Sequence, residues 1–378
     1  MTDKPYCILP WYHQLVQSSG KMLPCCSWAG PPIDSNYGDF FHSQFMQDLR
    51  LDMLSGNIPD ECRHCVYAET QTGESHRTHG WILATDAEVD WRDAPTLRRQ
   101  EVNLSNVCNL RCRSCDSSRS TKWAADEIAM KLTPHALESV DWRLSPDQVT
   151  SIKQLDFLGG EPLLHQEQIC DELEKMKNAR SIDQLILHFT TNGTIYFSDR
   201  MLDLLRYCRY TWVNVSIDGY GILNEYIRSD SDWHEIDKNL RRLDQLAQQL
   251  CNFGFGVNHC YSVLNANAAY PLLQYLADFK TDIKLGITMV NGPNQYDARN
   301  LPNDAKIWIT DRYMALLDNI PNYRHALESM ISHLKEPATM QHDAWVKKFT
   351  TFNNFLDTRR HAALLDANKE LYDMLDIW

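Results

Sequence analysis

The stretch Glu101-Val102-Asn103-Leu104-Ser105-Asn106-Val107-Cys108-Asn109-Leu110-Arg111-Cys112-Arg113-Ser114-Cys115 decides the reading of the fold. Its start reads as a strand over Glu101–Ser105, and the cysteines follow directly in the loop at that strand's carboxyl end. Three thiolates from one loop can bind three irons of a [4Fe–4S] cube. Such clusters ordinarily take four cysteines, so the fourth iron would stay open to a substrate or cofactor. A zinc ion would want a fourth ligand close by, and the next histidine is only His135. A zinc knot or three buried thiols is the competing reading.

Outward from this loop, strands alternate with helices. Further strands are expected at Gln154–Leu158, Gln184–Thr190, Thr211–Ile217, Phe255–Val263 and Ile283–Met289. A helix is expected from Ser145, where Pro146 fills the first turn and Gln148 completes a capping box. Another is expected over Trp233–Leu250, with Ile236, Leu240, Leu243, Leu246 and Leu250 on one face. Six β/α units imply a parallel sheet covered by helices. In such sheets ligands bind at the carboxyl ends of the strands.

Three more polar motifs sit at those ends. Gly159-Gly160-Glu161-Pro162 follows the second strand, where two glycines let the backbone approach a ligand closely. Thr190-Thr191-Asn192-Gly193 follows the third; Asn-Gly alone is usually a turn. Ser216-Ile217-Asp218-Gly219 ends the fourth, with Arg228 twelve positions beyond Ser216. Ser216 and Asp218 can bind hydroxyls, and Arg228 can pair with a carboxylate. Asp218 read blandly is a turn residue.

Taken together, these motifs resemble the radical S-adenosylmethionine superfamily over about residues 98–295. The resemblance implies an α/β fold, a partial (β/α)6 TIM-like barrel. It implies a [4Fe–4S] cluster on Cys108, Cys112 and Cys115, whose open iron chelates S-adenosylmethionine. An electron from the cluster would break the S–C5′ bond, and the 5′-deoxyadenosyl radical would abstract a substrate hydrogen. Gly159, Gly160, Glu161, Asn192, Ser216, Asp218 and Arg228 would be the cofactor-binding positions. A flavodoxin- or ferredoxin-type protein would supply the electron. Ser114 departs from the family, which usually has an aromatic residue there beside the adenine.

Residues 1–95 are rich in Cys, Gly, Pro and Trp. Their one clear helix is expected near Gln44–Leu54, where Phe45, Leu49 and Met53 repeat and Gly56 stops it. Cys62-Arg63-His64-Cys65 has metal-ligand spacing. Cys7, twelve residues, Gly20, four residues and Cys25 resembles the opening of the SPASM/twitch motif, which holds auxiliary [4Fe–4S] clusters. That likeness implies a second cluster on Cys7, Cys25, Cys62 and Cys65, here ahead of the barrel. Cys26 could replace Cys25, zinc could replace the cluster, and His13 and His64 would be bystanders. The expected domains are 1–95 as the auxiliary module, 96–295 as the barrel and 296–378 as a helical extension rich in aromatics, among them Trp308, Tyr313, Trp345 and Phe349.

The 378 residues carry 43% hydrophobic and 23% charged positions, the profile of a globular protein. A net charge of −13 argues against a nucleic-acid partner. No apolar run suits a membrane span and no secretory signal is legible, so the cytoplasm is expected. Eight of the twelve cysteines lie in the first 115 residues, and Cys170, Cys208, Cys251 and Cys260 read as scattered small hydrophobes. With no leader-binding domain legible, the expected reaction is oxidation of a small metabolite with the auxiliary cluster as electron acceptor. Thioether or C–C cross-linking of a peptide is the alternative, and a non-catalytic electron carrier is the reading from another class.

Overall fold

The computed structural model describes residues 4–34, 40–86 and 88–375. Its strands are β1 (His13–Val16), β2 (Met22–Leu23), β3 (Arg99–Asn103), β4 (Arg111–Cys112), β5 (Gln154–Leu158), β6 (Ile186–Thr191), β7 (Tyr210–Ser216), β8 (Arg228–Ser229), β9 (Phe253–Tyr261) and β10 (Lys284–Met289). Eight of them form one sheet in the order β10-β9-β7-β6-β5-β3-β1-β2. β3, β5, β6, β7, β9 and β10 are the six expected strands, and helices intervene between them. The fold is the expected mostly parallel α/β, TIM-like arrangement.

The chain divides into two units, one of residues 1–107, 137–190 and 197–212, the other of residues 108–136, 191–196 and 213–378. In the first, β1 lies parallel to β3, β3 to β5 and β5 to β6. The sequence reading did not foresee β1 and β2, because four and two residues are too few for a period-two pattern to register. Gly20 turns the chain between them at φ +79°, and its N–H donates to the Gln17 carbonyl at 2.8 Å. A side chain is strained at that φ. β3 ends two residues before its expected end. Ser105 leaves the ladder because its hydroxyl donates to the Glu138 carbonyl and accepts from the Val107 N–H, at 2.8 and 3.0 Å.

The amino-terminal helices of this unit are α1 (Gln44–Ser55), α2 (Arg63–Thr72) and α3 (His76–Asp86). Ser43 caps α1 and Gly56 closes it at φ 77°. α1 buries Met46, Leu49 and Met53 and also Arg50, whose guanidinium donates to the Pro10 and Phe41 carbonyls at 2.9 and 2.7 Å. The Ser145 capping box forms as expected.

In the second unit β9 and β10 are parallel. Trp233–Gln249 is a helix capped by Asp232, with Ile236, Leu240, Leu243 and Leu246 buried. Helices at Asn303–Leu316, Arg324–Lys335 and His342–Arg360 follow. Tyr313, Trp345 and Phe349 are buried, whereas Trp308 is exposed.

Candidate functional site

The cysteine loop belongs to the second unit and is fixed by its own backbone. β4 pairs antiparallel with β8, with Cys112 opposite Arg228. The Arg113 N–H donates to the Ile227 carbonyl at 2.8 Å. The carbonyls of Leu110, Arg111 and Cys112 accept from the Ser120 hydroxyl, the Arg360 guanidinium and the Trp123 indole, at 2.5, 2.7 and 2.8 Å. The Arg113 side chain points away from the cysteines. It is buried on Tyr226, 3.7 Å from the ring centroid, and reaches Asn353 and Asp357.

Burial pushes the Cys112 thiol up to about 11, Arg228 opposing and Asp218 reinforcing the rise. Burial and then Cys112 carry Cys115 to about 12. A metal centre bound there would replace the protons of these thiols. No three ligating side chains of this loop converge within 4.8 Å, which suits separate corners of a cluster rather than one shared ion.

Asn192 and Asp218 join the loop within the same unit. The Asn192 amide lies 3.7 Å from Cys108 Sγ and donates to Asn109 Oδ1 at 2.8 Å. Asp218 is buried, bonding the Arg228 guanidinium and the Cys260 N–H, each at 2.8 Å. Its carboxylate therefore holds the chain's own groups. Ser216 is buried at the end of β7. Cys260 is not the inert apolar residue expected: it sits among Asp218, Arg228 and Cys112. Cys251 is exposed rather than buried.

In the first unit, Gly159 and Gly160 answer to the chain itself. A Cβ on Gly160 would lie 2.1 Å from the Val107 carbonyl, and Gly159 has φ +109°. The N–H groups of Gly160 and Glu161 donate to the Ser105 and Val107 carbonyls at 3.0 and 2.9 Å. The glycines thus let this turn lie against the segment that leads into Cys108. Glu161 is buried, and its carboxylate accepts from the Leu163 N–H at 3.0 Å.

The same unit gathers the other cysteines. Burial drives Cys7 to about 12 and Cys62 to about 11, with Cys62 and Cys65 adding to the first and Cys65 to the second. Cys25 rises too, by burial and then by Cys7, while Cys26 feels Glu101 and Arg99 instead. Cys25 faces this quartet and Cys26 faces away. No three of the four thiols come within 4.8 Å of one another, so they do not close on a single ion.

Sequence reasoning missed a charged row across the sheet of the first unit. Register places His13 beside Arg99, Glu101 beside Asp156 and Asp156 beside His188. Arg99 bonds Asp156 at 2.7 Å and approaches Glu101 at 3.2 Å; His188 lies 3.1 Å from Asp156. Burial pushes the Asp156 carboxyl up, but Arg99 and His188 more than reverse it and hold it below the ordinary range. The opposite face, with Val102, Leu155, Phe157, Leu187 and Phe189, is buried and apolar. The alternation Arg99-Gln100-Glu101-Val102-Asn103 was the available signal.

Residues 102–258 match the family model of the Radical SAM superfamily. The match covers less than half of the chain. A radical SAM domain implies a [4Fe–4S] cluster and S-adenosylmethionine, and the thiol set of the 108–115 loop fits the cluster. Among solved structures the chain is similar to hexahistidine-tagged anSMEcpe with bound AdoMet, at 15% identity and a TM-score of 0.41 over 60% of this chain and 62% of that one. It is similar to native anSMEcpe with bound AdoMet and the Kp18Cys peptide at the same identity, TM-score and coverage. The chain thus spans about three-fifths of the length of these structures. No curated protein matches it. Among the described residues no helix is long and apolar enough to cross a membrane.

Proposed function

We propose that the protein is a radical enzyme that reductively cleaves S-adenosylmethionine and oxidises a small metabolite. The observation that carries the reading is the prefixed loop that presents Cys108, Cys112 and Cys115 beside Asn192 and the Asp218–Arg228 pair. Bound there, a [4Fe–4S] cluster supplies the electron that breaks the S–C5′ bond and so generates the hydrogen-abstracting radical. Arg228 sets a buried positive charge against Cys112, which offsets the negative charge of a thiolate-ligated centre. Asp218 fixes that guanidinium at 2.8 Å. Glu161 and the 159–160 turn brace the strand end that leads into the loop.

Cys7, Cys25, Cys62 and Cys65 would hold an auxiliary cluster that accepts the product electron. With four thiolates it has no vacancy for substrate. An acidic flavodoxin- or ferredoxin-type donor would dock at an open groove of about 630 Å³ lined by Met130, Lys347, Lys348, Phe352 and Phe355. Phe352 stacks on Trp123, whose indole holds the Cys112 carbonyl.

The test is anaerobic reconstitution with iron and sulfide, then dithionite and S-adenosylmethionine. Methionine and 5′-deoxyadenosine should form, and a Cys112→Ala variant should form neither. Absence of both products in the wild type sinks the reading. A Cys62→Ala, Cys65→Ala variant should still cleave the cofactor and lose oxidation of substrate. Normal substrate turnover by that variant would remove the auxiliary cluster from the reaction.

A further inference from the structure

We propose that Cys26, His76, Glu101 and His13 form a mononuclear site for a divalent transition ion, zinc in the first instance. Among the described residues, the ligand atoms of Cys26, His76 and Glu101 are the set that gathers within 4.8 Å. Cys26 Sγ lies 3.4 Å from His76 Nδ1 and 3.9 Å from its Nε2. His76 Nε2 lies 3.8 Å from Glu101 Oε1. His13 Nε2 lies 3.2 Å from the same carboxylate oxygen. Zinc bonds of about 2.0–2.3 Å put tetrahedral ligand atoms roughly 3.3–3.7 Å apart. With Nε2 as the His76 donor, Cys26 and Glu101 stand 3.9 and 3.8 Å from it, close to that edge, whereas His13 lies beyond 4.8 Å of at least one of the other donors and must turn inward to complete the shell.

His13 supplies the independent observation. It is fully buried, and its Nε2 has no hydrogen-bond partner. Its Nδ1 lies 2.9 Å from the Pro24 carbonyl. A carbonyl cannot donate, so Nδ1 is the donor to Pro24, and Nε2 faces the Glu101 carboxylate. A proton or a metal ion between Nε2 and the carboxylate would satisfy both, and the neighbouring thiol and second imidazole favour the metal. A ligating histidine whose other nitrogen donates to a backbone carbonyl is the usual outer-shell arrangement of metal sites. Pro24 stands two residues before Cys26, so one short turn orients one ligand and supplies another.

Arg99 also approaches Glu101 Oε1 at 3.2 Å, and Asp156 holds the same guanidinium at 2.7 Å. Cys26 is exposed, which leaves an entry path. One thiolate, two imidazoles and one carboxylate suit zinc better than magnesium or calcium. The site would pin β1, the turn after β2, α3 and β3 to one another. The inference does not depend on the reaction proposed above.

The full chain, with its iron–sulfur centres reconstituted, should be incubated with zinc sulfate and desalted. Elemental analysis should return about one zinc per chain, the ratio of a mononuclear site. Zinc-edge X-ray absorption should show one sulfur at about 2.3 Å and nitrogen or oxygen at about 2.0–2.1 Å. Cys26→Ala and Glu101→Gln should each weaken zinc retention at least about tenfold with iron content unchanged. No retained zinc would mean that a proton bridges His13 and Glu101. An all-sulfur shell would place zinc in the cysteine quartet, a sulfur-free shell would mark adventitious binding, and iron loss in Cys26→Ala would make Cys26 a cluster ligand. Each overturns the proposal. If a variant fails to fold, the shell of the wild type decides alone.

Discussion

The loop of Cys108, Cys112 and Cys115 and the quartet of Cys7, Cys25, Cys62 and Cys65 are built on opposite principles. In the loop, three successive carbonyls have side-chain donors and the Arg113 N–H has a backbone partner in the Ile227 carbonyl, all independent of metal. Its geometry is prepaid by packing. The quartet has thinner backbone support: Trp28 N–H to the Cys25 carbonyl at 3.3 Å, Ala29 N–H to the Glu61 carbonyl at 2.9 Å, and the short turn into Cys62. Cys7 and Cys25 lie outside regular structure, Cys62 ends a single helical turn and Cys65 sits in the first turn of α2, so metal ligation must offset chain entropy that packing offsets in the loop.

Iron removal should expose this difference most strongly. After anaerobic chelation, hydrogen exchange should rise steeply over residues 24–34 and 57–66. The Arg113 amide should stay protected by the Ile227 carbonyl. Cys62→Ala, Cys65→Ala should reproduce the first change in otherwise reconstituted protein, and Cys112→Ala should not. Equal loss of protection in both regions would break the comparison.

A smaller effect should follow from removing the loop's anchor. Arg113 is fully buried and serves Tyr226, Asn353 and Asp357. Breaking a buried ion pair from one side costs about 3–5 kcal/mol. Asp357 is partly reached by solvent, so Arg113→Met should sit near 3 kcal/mol in chemical denaturation. A loss below about 1 kcal/mol, the range of an exposed pair, would show that the loop does not lean on the helix His342–Arg360.

Much of this contrast was legible before any coordinates. The six strands and the cysteine spacing were readable because each strand runs five residues or more, most of them with several apolar or β-branched residues, and because thiol spacing reports loop chemistry directly. The anchors were not. Nothing local distinguishes Arg113 from Arg111, yet one is buried on Tyr226 and the other reaches solvent and Asp230. Tertiary partners more than a hundred residues away decide that. Gly160 was legible as a close-approach glycine, but what approaches it is the Val107 carbonyl. His13 was set aside because a full quartet leaves no vacancy, and Cys26 was kept only as a substitute for Cys25. Only the parallel pairing of β1 with β3 brings His13 to Glu101.

The smallest expected effect isolates one bond of the loop. Trp123 is buried, donates through Nε1 to the Cys112 carbonyl at 2.8 Å and stacks on Phe352, while Arg360 lies over its ring at 4.5 Å. Trp123→Phe keeps an aromatic face for both neighbours and removes the donor. The cost should be about 1 kcal/mol, the net worth of one hydrogen bond, read as a lowered denaturation midpoint. Iron content after reconstitution should stay at the wild-type level, because the Ser120 and Arg360 bonds still define the loop. If iron binding falls as sharply as stability, the loop is shaped by the cluster after all, and its backbone is no better prepared than the quartet's.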